Sequence, residues 1–126
     1  MNILLVDDSD FSLSLTKELI IQATDDSDIC FILAKDGDEA VHLFRDSQTG
    51  EIDVIFMDVV MPEKNGVAAL HEIRTMDRPD SLTVPIVIVS ALAESSCINQ
   101  TDKKLITDYI QKPLSMEKFR VFFQKL

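Results

Sequence analysis

The sequence has little cysteine, little glycine and too little positive charge to balance its acids, and none of its apolar runs is long. Its two cysteines, Cys30 and Cys97, cannot build a disulfide framework and do not fall at metal-ligand spacing. A membrane-spanning helix needs about 20 consecutive apolar residues. No run here approaches that, so no membrane contact is expected. The first ten residues turn acidic after Val6 and lack the basic start and cleavage region of a signal peptide. Twelve Lys+Arg against 22 Asp+Glu leave a formal charge of −10, which argues against direct binding to nucleic acid or anionic lipid. The simplest expectation is a reduced, cytoplasmic chain.

What remains is a globular composition: 126 residues, 46% apolar and 27% charged, enough for one compact domain and too short for two. No linker, repeat or low-complexity stretch divides it. Four apolar runs, Ile3–Val6, Ile29–Ala34, Val54–Met57 and Ile86–Val89, and a shorter one at Tyr109–Ile110, are rich in β-branched residues and lack polar alternation. That pattern suits strands covered on both faces, hence a parallel sheet.

Amphipathic stretches lie between the runs. From Phe11 to Ala23, the residues Phe11, Leu15 and Leu19 recur every fourth position, with Ser9 or Asp10 as N-cap. A second helix is expected from Asp38 or Glu39 to Arg45, a third from Gly66 to Thr75, and a weaker fourth over residues 93–105. Ser115 caps a fifth that turns Phe119, Phe122, Phe123 and Leu126 inward. It runs to the last residue, so a single domain over residues 1–126 is expected, with no effector domain. Strands alternating with helices give an α/β doubly wound fold, with right-handed crossovers placing helices on both faces.

In such a sheet, ligands bind beyond the carboxyl ends of the strands. The first strand ends in Asp7-Asp8, the third in Asp58, the fourth in Ser90 and the fifth in Lys112-Pro113. Three carboxylates brought together repel unless a cation joins them. An all-oxygen set with room for water suits Mg²⁺. Lys112 adds a point charge for a carboxylate or phosphoryl oxygen, and Ser90 a hydroxyl donor. These are the parts for phosphoryl transfer to a carboxylate.

Taken singly, each feature has a plainer reading. Asp7-Asp8 can cap a helix, Asp58 can be a loop residue, Ser90 a satisfied strand-end hydroxyl and Tyr109 a half-buried packing residue. Pro62 and Gly66 can be punctuation before the third helix. His42 and His71 read as surface residues, Cys30 as part of a core strand and Cys97 as a helical residue without chemistry. Separate explanations do not account for the convergence.

In order along the chain, Val6-Asp7-Asp8-Ser9, Met57-Asp58 with Met61-Pro62 and Gly66, Ser90-Ala91, and Tyr109-Ile110-Gln111-Lys112-Pro113 resemble a response-regulator receiver domain, the CheY-like family of two-component signal transduction. The resemblance implies a flavodoxin-like five-stranded parallel sheet in the order 2-1-3-4-5 with five helices. It implies Asp58 as the phosphoacceptor, charged by a sensor histidine kinase or a histidine phosphotransfer protein. Mg²⁺, or Mn²⁺ as a substitute, would be held by Asp8, Asp58 and the Val60 carbonyl, with Asp7 acting through water. Ser90 and Lys112 would hold phosphoryl oxygens, the bond before Pro113 would be cis, and Tyr109 would be the switch aromatic. Output would pass to a protein target through the face of helix 4, strand 5 and helix 5, with phosphorylation-dependent dimerisation as a further outcome. The resemblance implies a signalling domain and no enzyme, promoting only its own phosphorylation and dephosphorylation.

Two departures from the family pattern carry expectations. Leu105 stands where receivers often have a glycine ending helix 4, so that helix is expected to run on or to end irregularly. Val60 and Leu92 stand where polar residues often flank the hydrolytic water, so slow self-dephosphorylation is expected. Lys64 and Asn65 also differ, without evident consequence. Competing readings fare worse. A pseudo-receiver has no need of Asp7, Asp8, Asp58, Ser90 and Lys112 together. A flavin carrier needs a Ser/Thr/Gly-rich phosphate loop where the acidic Asp7–Asp10 stretch lies. A haloacid-dehalogenase-type phosphatase needs an acid where Val60 follows Asp58.

Overall fold

A computed structural model of the chain describes residues 1–59 and 65–126. Five parallel strands, β1 (Asn2–Val6), β2 (Cys30–Ala34), β3 (Val54–Met57), β4 (Ile86–Ser90) and β5 (Asp108–Gln111), form one sheet in the order β2-β1-β3-β4-β5. The helices are α1 (Asp10–Ala23), α2 (Gly37–Asp46), α3 (Gly66–Arg74), α4 (Glu94–Cys97) and α5 (Met116–Lys125), with a 3-10 turn at Asp102–Leu105. This is the flavodoxin-like, doubly wound architecture expected. Among the described residues no helix is long and apolar enough to cross a membrane.

The sheet divides the core in two. One face collects Leu4, Val6, Phe44, Ile55, Met57, Leu70, Ile73, Ile86 and Ile88 under α2 and α3. The other collects Ile3, Leu5, Leu13, Ile20, Phe56, Val87, Phe119 and Phe122 under α1 and α5. Alternate residues of β1, β3 and β4 serve opposite faces, which is why these runs are apolar without a break. Phe56 meets Phe119 edge to face at 5.4 Å and Phe122 at 5.5 Å. Such contacts add to the burial of three large rings.

Four sequence expectations fail locally. The stripe of Phe11, Leu15 and Leu19 is not the buried face of α1: Leu13, Thr16 and Ile20 are, while Phe11 is 77% exposed. A four-residue step overshoots a helical turn by about 40°, so the stripe drifts off the sheet. Strand β2 is covered only in part, with Cys30 and Leu33 exposed, because it is an edge strand. Helix α2 starts one residue earlier than expected, at Gly37, because Asp36 caps it by accepting the Glu39 amide at 2.8 Å. Leu126 is exposed, lying beyond the last turn of α5, although Phe119 and Phe122 point inward as expected.

The largest departure is the fourth helix. Instead of spanning residues 93–105, it stops after one turn at Cys97. Ile98 then leaves in an extended conformation with its side chain buried. The Asn99 carboxamide accepts the Asp102 amide at 2.7 Å and starts the separate 3-10 turn. Asn99 thus bonds the backbone with its side chain, and Ser95, Ser96, Thr101 and Asp102 are of the residue types that disfavour a helix interior.

Candidate functional site

The acidic residues are held by backbone bonds that continue the strand ladders one step past the strands. The Asp7 amide donates to the Ala34 carbonyl at 3.0 Å, the Asp58 amide to Val6 at 2.9 Å and the Lys112 amide to Ser90 at 2.7 Å. Their side chains therefore leave the same edge of the sheet. Ser9, and neither aspartate, caps α1 by accepting the Ser12 amide. Asp7 keeps one local tie, its Oδ1 accepting the Ser9 amide at 3.0 Å.

Carboxylate oxygens of Asp7, Asp8 and Asp58 all lie within 4.8 Å of one another. Asp8 is exposed, whereas the side chains of Asp7 and Asp58 are only 11% and 12% exposed. The Lys112 ammonium stands 3.3 Å from Asp7 Oδ2 and 3.6 Å from Asp58 Oδ2. Three carboxylates thus face one ammonium, an excess of negative charge that a hard divalent cation would balance. The donors are all oxygen, and one of them opens to solvent, a set that fits Mg²⁺. The Lys112–Pro113 peptide bond is cis. Val60, expected to lend its carbonyl and to flank the phosphoryl group, lies outside the described residues, as do Met61, Pro62 and Lys64.

Gly66 explains how α3 approaches so closely. Its amide donates to the Val59 carbonyl at 3.1 Å. A Cβ at this position would stand 2.3 Å from the Asp58 carbonyl oxygen. Only glycine lets the helix start against the backbone of Asp58.

On the other side of the site, Ser90 is 1% exposed at the end of β4, and its Oγ accepts the Leu92 amide at 3.2 Å. The Tyr109 hydroxyl donates to the Leu92 carbonyl at 2.6 Å and meets Cys97 Sγ at 2.9 Å. Leu92 therefore links Ser90 through its N–H to Tyr109 through its C=O, while its side chain is 44% exposed. Burial pushes the Tyr109 phenol up to about 12, with the bond to Cys97 adding to the shift and the Ser90 hydroxyl opposing it.

Sequence reasoning missed the groups around this loop. His71 lies at the surface as expected, half-exposed, but its Nε2 stands 2.7 Å from Asp102 Oδ1, a contact that was not foreseen. Arg74 is buried and donates to the carbonyls of Leu105 at 2.9 Å, Ser81 at 3.2 Å and Val84 at 2.7 Å. Burial lowers its pKa. Cys97, read as chemically idle, touches Tyr109. The available signal was the i, i+3 spacing of His71 and Arg74, which puts both on one side of α3.

The chain is similar to known proteins. The family model described as the response regulator receiver domain matches residues 3–123. The probable C4-dicarboxylate response regulator DctR of Bacillus subtilis is 33% identical over 92 residues, covering 73% of this chain and 38% of that protein. The chemotaxis protein CheY of Thermotoga maritima is 31% identical over 111 residues, 88% of this chain and 84% of that protein. A chain of the solved CheX–CheY complex with beryllofluoride and Mg²⁺ from Borrelia burgdorferi superposes with a TM-score of 0.80 at 27% identity, over 100% of this chain and 90% of that one. Against DctR and the MalR protein of the same bacterium the chain spans less than half of the relative's length, 38% and 47%. A match over nearly the whole length, on a sheet whose ends gather Asp7, Asp8, Asp58 and Lys112, shows that the chain belongs to the response regulator receiver domain family of two-component systems.

Proposed function

We propose that this chain is a phosphorylation switch in which Asp58 accepts a phosphoryl group from a phosphohistidine of a sensor kinase or histidine phosphotransfer protein. The observation that carries the reading is the placing of Asp58 against Lys112, within 4.8 Å of the carboxylates of Asp7 and Asp8. In the reaction a carboxylate oxygen of Asp58 bonds to phosphorus as the P–N bond to the donor imidazole breaks. The leaving imidazole takes the electron pair. Lys112 neutralises negative charge on the transferring group, and the Ser90 hydroxyl donates to one of its oxygens, so catalysis is positioning and charge stabilisation. Asp8 and Asp58, with Asp7 behind them, would hold Mg²⁺ or, in its place, Mn²⁺. The ion would supply charge neutralisation for the phosphoryl oxygens.

The phosphoryl group carries about 1.5 to 2 negative charges and three acceptor oxygens, while Asp58 gives up its own carboxylate charge on forming the acyl phosphate. The Ser90 hydroxyl would turn toward those oxygens, altering the support it gives Leu92 and, through Leu92, the bond to Tyr109. The change would be read by a protein partner on the face of α4, β5 and α5, or by a second copy of the chain. A cytoplasmic receiver spanning residues 1–126 is the matching cellular reading.

Intact mass after incubation with Mg²⁺ and acetyl phosphate tests the core claim. One added phosphate is expected, absent without Mg²⁺ and absent in Asp58→Ala. No adduct under any condition, with beryllofluoride also failing to perturb the site, would favour a pseudo-receiver that only binds partners.

The adduct's decay tests a finer claim. Val60 and Leu92 offer no polar group to orient a hydrolytic water, which supports a long-lived aspartyl phosphate. Val60→Asn and Leu92→Asn are each expected to shorten the lifetime several-fold. A parent lifetime of seconds that neither substitution changes would end this idea.

A further inference from the structure

The route from Asp58 to the output face does not run only through Ser90. Helix α3 begins on the phosphoacceptor, with the Gly66 amide bonded to Val59 and its Cα packed against the Asp58 carbonyl. Its last turn carries His71 and Arg74, which reach across to the segment that replaces the fourth helix. His71 holds the Asp102 carboxylate at 2.7 Å, and Arg74 holds the Leu105 carbonyl at 2.9 Å. Asp102 in turn donates its amide to Asn99 Oδ1 at 2.7 Å, and the Lys103 amide donates to the Asn99 carbonyl at 2.9 Å. Asn99 is two residues from Cys97, whose sulfur touches the Tyr109 hydroxyl at 2.9 Å. Leu105 lies four residues before Tyr109 on the other side.

We infer that His71 and Arg74 are positioning residues for the Tyr109 switch, acting through the turn between Asn99 and Leu105 and through Cys97. A helix of one turn cannot hold itself in place, since isolated turns are costly to nucleate. The segment therefore takes its position from the groups that tie it down. Asp102, only 8% exposed, needs a partner for its charge, and His71 supplies one. The guanidinium of Arg74 satisfies three carbonyls at once, fixing the turn before β5 to the loop before β4. Any tilt of α3 that follows a change at Asp58 moves both ties together. The device rests on the reading of Tyr109 as the switch aromatic.

Tyr109 is the only tyrosine and the chain has no tryptophan, so its emission can be followed alone. The full chain is compared as parent, His71→Ala and His71→Gln, with Asp102→Ala as a second way of cutting the tie. Because His71 is half-exposed, its replacement is expected to leave the fold intact. The readouts are Tyr109 fluorescence anisotropy with and without Mg²⁺ and beryllofluoride, amide exchange over residues 97–109, and acetyl phosphate labelling of Asp58. In His71→Ala and Asp102→Ala, exchange around Asn99–Leu105 should rise about tenfold and Tyr109 anisotropy should fall. His71→Gln, which keeps an N–H donor for Asp102, should restore both, and labelling of Asp58 should stay near the parent rate in all. Unchanged Tyr109 emission in His71→Ala overturns the proposal, even if exchange rises, because the tie is then only structural. Failure of the parent chain to take a phosphoryl group at Asp58 would instead count against the receiver reading, leaving the tie to be judged on Tyr109 without beryllofluoride.

Discussion

The acidic end of the sheet and the segment between β4 and β5 are built on different principles. At the acidic end Asp7, Asp58 and Lys112 are each fixed by a main-chain bond to a neighbouring strand. Such ladder bonds depend on backbone geometry and little on which side chains surround them. Between β4 and β5 the ordering groups are side chains: Asn99 on the Asp102 amide, His71 on the Asp102 carboxylate, Arg74 on Leu105 and Cys97 on Tyr109. The first arrangement depends little on the surrounding side chains; the second depends on these particular ones, and local stability should be lower where such ties are fewest.

The sharpest test of this contrast compares two buried apolar residues. Phe119 is fully buried and packs edge to face on Phe56. Phe119→Ala should cost about 3–5 kcal/mol, because strands and helices on every side prevent the cavity from closing. Ile98 is nearly as buried, at 6% exposed, yet it lies between the one-turn α4 and the 3-10 turn. Ile98→Ala should sit near the low end for such a change, about 2 kcal/mol, since the segment can collapse onto the gap. Urea midpoints of both variants decide it. Equal losses would mean that the segment is as rigid as the core.

Gly66→Ala probes the opposite region. The new Cβ meets Asp58 O at 2.3 Å and Val59 Cα at 2.9 Å, both backbone atoms that cannot swing aside. A loss of about 1–3 kcal/mol is expected, typical of overpacking. Labelling of Asp58 by acetyl phosphate should slow as well, because α3 must back away from the acceptor. A variant that unfolds earlier in urea but labels at the parent rate would show that the site tolerates movement of α3.

The same contrast explains what could be read in the sequence. Unbroken apolar runs at Ile3–Val6, Val54–Met57 and Ile86–Val89 announce central parallel strands; Asp7, Asp58 and Ser90 directly follow these runs, and Lys112 directly follows β5. Strand ends and site residues are thus neighbours in sequence and in space. The stripe on α1 misled because Phe11 and Leu15 are as apolar as the truly buried Leu13 and Ile20, and only the crossing of helix over sheet separates them. The early end of α4 at Cys97 was not legible: the missing glycine at Leu105 pointed only to an irregular end there. Nor were the ties that replace the helix. His71 and Asp102 are 31 residues apart, and no local pattern predicts such a pair.

Tyr109 joins the two regions, and its hydroxyl offers the smallest but most direct test. The folded-state pKa of about 12 lies above the ordinary phenol value, chiefly through burial and then through the bond to Cys97. The neutral phenol is therefore the form the fold prefers, and its contribution is complete below about pH 10. As pH rises from 10 toward 12 that contribution is lost, because the unfolded chain ionises first. Tyr109→Phe lacks the group and lacks this dependence. Parent and variant differ only at the hydroxyl, so the difference between their urea midpoints isolates the phenol. The parent should hold a small advantage at pH 8, modest because the ring is partly exposed, and that advantage should shrink by pH 11. No advantage at either pH would mean that stability comes from the ring's packing, which Phe keeps, and not from the bonds to Leu92 and Cys97. The segment between β4 and β5 would then be held by shape, and the contrast between a backbone-fixed acidic end and a side-chain-fixed segment would fail at Tyr109.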